Sequence, residues 1–357
     1  MIRKGESYMI MEETYMFQEL RECAHAAVRC LEENREALLA LSSLVQKAQP
    51  SSIVLAARGT SLHAAAFAKY LFEEFVGFPT AIAEPSVVTK YAGKLDLSHS
   101  LVIGISQSGE GLDVCGIAAR GRDCGGIAAA ITNSASSRLA SLSQICLDCC
   151  SGEEKSVSAT KSFASQLSLV LAVAAHLSQN DSLFSLLAHA EDIFSDGLNL
   201  TGAAAALAER FSSMTDCVVL ARGNSYPIAQ ERALKCQETC AVRAHAFPAS
   251  NFLHGPIAMV DPSVPALLLA FDRSTNDDMV QLIDRMEAVG APILLVTNRQ
   301  ELAARQPSHI LLPDRCEGLW GALAAVPVIQ SFCCALSLSK GLNPDSPAGL
   351  NKVTVTK

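Results

Sequence analysis

The chain has 357 residues, half of them hydrophobic and 18% charged, enough for two domains with separate cores and unlike a disordered chain. A formal net charge of −8 argues against nucleic acid as a partner, because phosphate backbones demand basic surfaces, but not against a phosphorylated small molecule held by local donors. Thirteen cysteines at irregular positions, with charge scattered through Met1 to Phe17, read as reduced thiols of a cytoplasmic protein.

A helical stretch over 14–48 leads in, with Cys30-Leu31, Leu38-Leu39 and Leu41 on one stripe. Strand-like runs follow near 52–57, 79–84, 100–105, 125–131 and 144–148. The third, Leu101 to Ile105, feeds Ser106-Gln107-Ser108-Gly109-Glu110 before a helix pattern from about Leu112. Unpartnered N–H groups at a helix start, two hydroxyls and an amide make a seat for a phosphate monoester, and Gly109 lets backbone approach a ligand. An ordinary βα turn with an N-capping serine has the same pattern. Cys146, Cys149 and Cys150 end the fifth run with no second pair at ligand spacing and no nearby histidine, so no metal is expected. The apolar run Leu167 to Leu177 is taken as the longest; broken by Ser168 and His176, it is too short to span a bilayer, and no membrane is expected.

Helical stretches over 158–178 and 184–212 bridge to a second copy, with a boundary at Asn180-Asp181. Val54-Leu55-Ala56-Ala57-Arg58-Gly59-Thr60-Ser61 reappears as Val218-Val219-Leu220-Ala221-Arg222-Gly223-Asn224-Ser225. Further strand-like runs lie near 216–221, 243–247, 265–271, 292–296 and 309–312. This alternation predicts an α/β fold of two tandem doubly wound parallel sheets. The expected division is a helical segment over 1–50, domains over 51–183 and 184–341, and a tail over 342–357. Both Arg-Gly turns and the Ser-Gln-Ser turn then fall beyond strand carboxyl ends, where such sheets bind ligands.

Lys235 and Glu238, three apart, share a helix face. A carboxylate there can move a proton between adjacent carbons, and the lysine can hold it and stabilise developing charge. His254 precedes Gly255-Pro256 on a turn and suits acid–base work near neutral pH. Each also has a plain reading: a solvated ion pair, a turn, and, for Lys352, a frayed terminal lysine.

Six segments carry a broader likeness: Gly59-Thr60-Ser61, Ile105 to Glu110, Val157-Ser158-Ala159-Thr160-Lys161, Ala233 to Glu238, Phe247 to Pro256 and Leu350 to Val355. In order and spacing the chain from about Asn34 onward resembles the tandem sugar-isomerase (SIS) family, the isomerase half of glucosamine-6-phosphate synthase and stand-alone deaminases among it. The resemblance implies flavodoxin-like domains and a C-terminal active-site tail. It implies that Thr60, Ser61, Ser106, Gln107, Ser108 and Gly109 hold a sugar phosphate, and that Gly59, Val157 and Ser158 contact the sugar. It implies Glu238 as the C1–C2 proton shuttle assisted by Lys235, and His254 as the ring opener supplied across a homodimer. It also implies that Lys352 closes over the sugar and can form a Schiff base, and that no cofactor is needed.

Gly111 departs from a usual threonine, Asn251 from a glutamate, Leu253 from a basic residue, Ala159 from a small hydroxyl residue, and Cys236-Gln237 from an apolar-lysine pair. All are expected to line or adjoin the sugar site. Only about fifty residues precede the first strand, and Cys23 lies within a helical pattern, so no amidotransferase domain is expected. The expected reaction is isomerisation and deamination of an amino-sugar 6-phosphate of the glucosamine type. A fructosamine-6-phosphate deglycase and a non-catalytic sugar-phosphate-binding regulator are the alternatives.

Overall fold

Residues 10–352 are described by the computed structural model; Val353, Thr354 and Val355 of the tail motif, and residues 1–9 of the lead-in, lie outside the described residues. Three helices lead in, α1 (Tyr15–Leu20), α2 (Cys23–Glu33) and α3 (Arg35–Ala48). The first sheet follows with β1 (Ser52–Ala57), α4 (Thr60–Leu71), β2 (Thr80–Ile82), α5 (Ser86–Thr89), β3 (Ser100–Ser106), α6 (Leu112–Asp123), β4 (Ile127–Thr132), α7 (Arg138–Leu142) and β5 (Ile145–Asp148). Four helices cross to the second half: α8 (Lys161–Ser178), α9 (Asp181–Ala188), α10 (Ala190–Leu198) and α11 (Thr201–Ala208). The second sheet comprises β6 (Asp216–Ala221), α12 (Tyr226–Cys240), β7 (Arg243–Pro248), α13 (Ala249–Leu253), β8 (Ala266–Ala270), α14 (Asn276–Val289), β9 (Ile293–Thr297), α15 (Gln300–Ala303), β10 (His309–Leu311) and finally α16 (Leu319–Ser339).

Every strand pairing is parallel, in the orders β2-β1-β3-β4-β5 and β7-β6-β8-β9-β10. The topology is thus one flavodoxin-like doubly wound sheet used twice. Period-2 alternation splits each strand between layers. Ile53, Leu55 and Ala57 join Val219 and Ala221 in one buried cluster that runs through both halves. Val54 and Ala56 face a separate cluster on the outer side of the first sheet, and Val218 and Leu220 one on the outer side of the second. Helices α2, α4, α8, α12 and α16 therefore form a central layer between the sheets, in which α8 packs on α2 and α4, α12 packs on α16, and α4 and α12 join the two halves.

Two expected helical stretches are interrupted, the first where a side chain finds partners on the first sheet. The lead-in stops at Asn34, whose amide donates to Cys30 O and Asp148 O (both 2.7 Å) and accepts from Asp148 N–H at 2.9 Å, docking it on β5. The stretch over 184–212 turns at His189 and Leu200.

Leu167 to Leu177 is not the longest apolar run. Helix α16 is, with 21 residues, and among the described residues it is the one helix long and apolar enough to cross a membrane. Here it is buried on nearly all sides, so its sequence lacks the polar face that marks a surface helix. Gly197 on α10 leaves no room for a β-carbon against Ala324 O, which lets the two helices pack closely.

Candidate active site

A cavity of about 400 Å³ opens at the carboxyl ends of β1 and β3. Two helix N-termini face it: α4 starts at Thr60 directly after Gly59, and α6 starts at Leu112 with Gly111 as its N-cap. Their free N–H groups and partial positive charge suit an anion. Ser106, Gln107 and Ser108 complete that wall, while Val157, Ala159, Glu154, Glu238 and Lys352 line the remainder.

Among the residues expected to bind phosphate, Thr60, Ser61, Ser106, Gln107 and Ser108 line the cavity, as does Gly59. Their hydroxyls have internal duties as well. Ser106 Oγ accepts from Gly109 N–H at 3.1 Å, and Ser108 Oγ from Glu110 N–H at 3.4 Å, which shapes the turn. Thr60 Oγ1 donates to Glu231 Oε1 at 3.1 Å and accepts from Lys235 Nζ at 3.0 Å. Ser61 Oγ accepts from Gln166 Nε2 at 3.0 Å. Gly109 does not line the cavity. Its φ of +67° and lack of a side chain serve packing, because a β-carbon there would collide with the Ser137 hydroxyl.

Below the cavity α12 carries a chain of charges. Lys235 Nζ, wholly buried, stands 2.8 Å from Glu238 Oε2 and 3.2 Å from Glu231 Oε1. Glu231, also wholly buried, pairs with His63 Nδ1 at 2.7 Å. Ser158 Oγ donates to Glu238 Oε2 at 2.6 Å. Both bonds to Glu238 fall on Oε2, so Oε1 carries neither. Burial pushes the Glu238 carboxyl up, but Lys235, Ser158 and His63 outweigh it and hold the group below its ordinary value. Burial would strip Lys235 of its proton; Glu231 and Glu238 instead hold it above the usual lysine range. The arrangement is a carboxylate kept ionised over a lysine kept charged.

Lys352 bonds Glu154 Oε2 at 3.0 Å and Ser156 O at 2.6 Å, bringing the tail to the cavity rim. Glu154 also accepts from Thr160 N–H and Ser162 N–H at the start of α8, at 2.8 and 3.1 Å. Burial raises its pKa, yet Lys352 and those N–H groups bring it below the ordinary value. Val157 is anchored by its N–H donating to Asp345 O at 3.0 Å.

His254 is exposed at the end of α13 and does not line the cavity. Neither do Asn251, Leu253, Cys236 and Gln237; of the departures from the family pattern, only Gly111 and Ala159 do. Cys236 lies in the core and Gln237 binds Ala244 O. Sequence reasoning missed Glu154, Glu231 and His63. The 231/235/238 helical spacing is a signal for Glu231; Glu154 meets Lys352 only through the fold.

Comparison with known proteins agrees with this architecture. A family model for the SIS domain matches residues 47–176 and 211–319. Glutamine–fructose-6-phosphate aminotransferase (isomerizing) from Gloeobacter violaceus is 32% identical over 316 residues, 85% of this chain and 52% of that protein. The chain spans about half the length of the curated relatives it matches. Solved structures of similar proteins share the fold. The C-terminal domain of glucosamine-fructose-6-phosphate aminotransferase from Francisella tularensis has a TM-score of 0.84 at 24% identity, covering 94% of this chain and 98% of that one. Glucosamine-6-phosphate deaminase from Thermotoga maritima has a TM-score of 0.74 at 19% identity, covering 96% and 100%.

Proposed function

The chain belongs to the SIS domain family, within the phosphosugar isomerase superfamily, and from that premise we propose that it isomerises and deaminates an amino-sugar 6-phosphate. One observation carries the reading: Glu238, whose Oε1 is unengaged among the described residues, lines the same cavity as the Ser106-Gln107-Ser108 turn and Lys352.

In this mechanism the phosphate sits against the N-termini of α4 and α6 and the Ser-Gln-Ser turn, which orients the sugar carbons toward α12. Glu238 Oε1 removes the proton from C2 of the open-chain sugar and delivers it to C1. Lys235 stays charged, fixes the carboxylate and stabilises the enolamine as charge develops. The resulting ketose imine adds water and releases ammonia, leaving a ketose phosphate. Lys352 closes the rim and, once freed from Glu154, can reach the ketose carbonyl. The exposed position of His254 supports ring opening by a second copy in a homodimer. Thirteen free thiols, most of them buried, support a reducing, cytoplasmic setting.

The test is a coupled assay of ammonia and ketose-phosphate release from glucosamine 6-phosphate. Wild-type protein turns over and Glu238→Gln does not; equal turnover refutes the role of Glu238. Mixed dimers of Glu238→Gln and His254→Ala regain partial activity if sites are shared, and no rescue in verified heterodimers rejects sharing. A second reading, deglycation of a 6-phosphorylated fructosamine, is favoured by Gly111, around which a side chain would meet only open space at the cavity edge. Faster release of a free amine from such adducts than of ammonia from the amino sugar would select it.

A further inference from the structure

The mechanism makes no use of His63, although it stands within the charged network under the cavity. Its Nδ1 lies 2.7 Å from Glu231 Oε2, and its side chain keeps 12% exposure where that of Glu231 keeps none. His63 does not line the cavity, so it reaches the reaction only through Glu231. Glu231 Oε1 accepts from Thr60 Oγ1 at 3.1 Å and faces Lys235 Nζ at 3.2 Å. Oε2 has His63 as its one partner among the described residues. Lys235 Nζ also donates to Thr60 Oγ1 at 3.0 Å and to Glu238 Oε2 at 2.8 Å. Helix α4 carries Thr60 and His63, and α12 carries Glu231, Lys235 and Glu238, so these bonds join the two halves of the chain.

An ammonium has three N–H donors, and here three acceptors stand within 3.2 Å of Lys235, two of them carboxylates on its own helix. Glu231 lies four residues before it and Glu238 three after, so the two acids compete for one cation on one helix face. An ionised carboxylate only accepts, so the imidazole nitrogen facing Glu231 is the protonated one. With that proton on Oε2, Glu231 is satisfied from the α4 side and leaves Lys235 to grip Glu238. A buried carboxylate oxygen without a donor is costly. Without His63, the nearest remedy is rotation of the Glu231 carboxylate toward the ammonium, which draws Lys235 away from Glu238. The cation of the neighbouring helix α8, Lys161, is taken by Glu22, and Arg232 of α12 packs on the Phe332 ring, so neither replaces His63.

We propose that His63 is a positioning residue for the proton transfer: by holding Glu231 it leaves the Lys235 ammonium on Glu238, fixing Oε2 of that carboxylate and keeping Oε1 free for the sugar carbons. The inference rests on the reading of Glu238 as the proton shuttle. A misplacement of about 1 Å in a group that must meet a C–H bond costs about 100-fold in rate, so a shifted Lys235 is felt in the chemical step. The Ser-Gln-Ser turn and the two helix N-termini hold the phosphate without help from His63. Loss of His63 therefore acts on kcat and leaves KM nearly as it was.

The test compares the full chain with His63→Leu, which has no donor, and His63→Asn, whose side-chain amide can donate to Glu231 from near the place of Nδ1. Crystal structures without substrate give the position of Lys235, and the coupled assay on glucosamine 6-phosphate gives kcat and KM. In His63→Leu the Lys235–Glu238 separation should open beyond about 3.5 Å, the limit of a hydrogen bond. Its kcat should fall about 10- to 100-fold with KM within about twofold, and His63→Asn should return kcat to within about threefold of wild type. A Lys235–Glu238 pair unchanged in His63→Leu, or equal losses of kcat in both variants, overturns the proposal. If His63→Leu does not fold, His63→Asn decides: kcat near wild type supports the role, and a tenfold loss with the amide bonded to Oε2 overturns it. If wild-type protein turns over no amino-sugar phosphate, the reading of Glu238 fails, whereas the crystallographic distances still report whether His63 places Lys235.

Discussion

Replacing Lys235 with methionine removes a charge that two carboxylates share. At an effective dielectric of about 20, its 2.8 Å pair with Glu238 is worth about 6 kcal/mol. The Glu238 side chain keeps 23% exposure, and Ser158 and His63 still favour its charged form, so only part of that energy is felt as a rise in its pKa. Glu238 works ionised, so a higher pKa means activity is lost earlier as pH falls. The acid limb of kcat/KM in the coupled assay should move to higher pH.

Stability changes in the same variant. The folded-state pKa of Glu238 lies below its ordinary 4.5, so its pairing contributes stability above that value and loses it as pH falls through the folded pKa. Removing one partner of a buried pair costs about 3–5 kcal/mol, and adding Glu231→Gln should recover much of it without restoring the acid limb. A folded Lys235→Met protein whose acid limb has not moved would refute the assignment of Lys235 as the group that keeps Glu238 ionised.

Ser158→Ala removes a 2.6 Å hydrogen bond to a carboxylate, worth about 1.5–3 kcal/mol, and should lower kcat/KM about 10- to 100-fold while circular dichroism stays the same. Gly111→Thr meets only open space and adds a hydroxyl at the helix N-terminus that faces the cavity; KM for glucosamine 6-phosphate should fall about fivefold with kcat little changed. Glu154 titrates below its ordinary 4.5, so its contribution is complete above that value and vanishes as pH falls through the folded pKa. Glu154→Gln should therefore narrow the difference in Tm between about pH 7 and about pH 3, and protease should clip the tail near Lys352 faster once its partner is neutral.

The sheets are legible in the sequence because the same strand-Arg-Gly-helix unit occurs twice, and parallel strands buried on both faces read as short continuous apolar runs. Helix α16 is not, because its residues are apolar all round and period 3.6 vanishes where every face is buried. Asn34 reads as one residue of a helix and acts as a latch on β5, a choice made by tertiary hydrogen bonds. At the site, the Ser-Gln-Ser turn and the Lys235/Glu238 pair are readable from local spacing. Glu154 is not, since its partner Lys352 is distant in sequence and no local pattern marks it. Gly109 has the Ser137 hydroxyl behind it at a positive φ, a packing reason for glycine that local sequence does not display.

The central claim is that the Glu238 carboxylate carries a proton between neighbouring sugar carbons. NMR of glucosamine 6-phosphate incubated in D2O measures that step without requiring ammonia release. Wild-type protein should introduce solvent deuterium at C1 or C2, and Glu238→Gln should reduce the rate by at least about a thousandfold. Deuterium entering at the wild-type rate with Glu238→Gln would contradict the account.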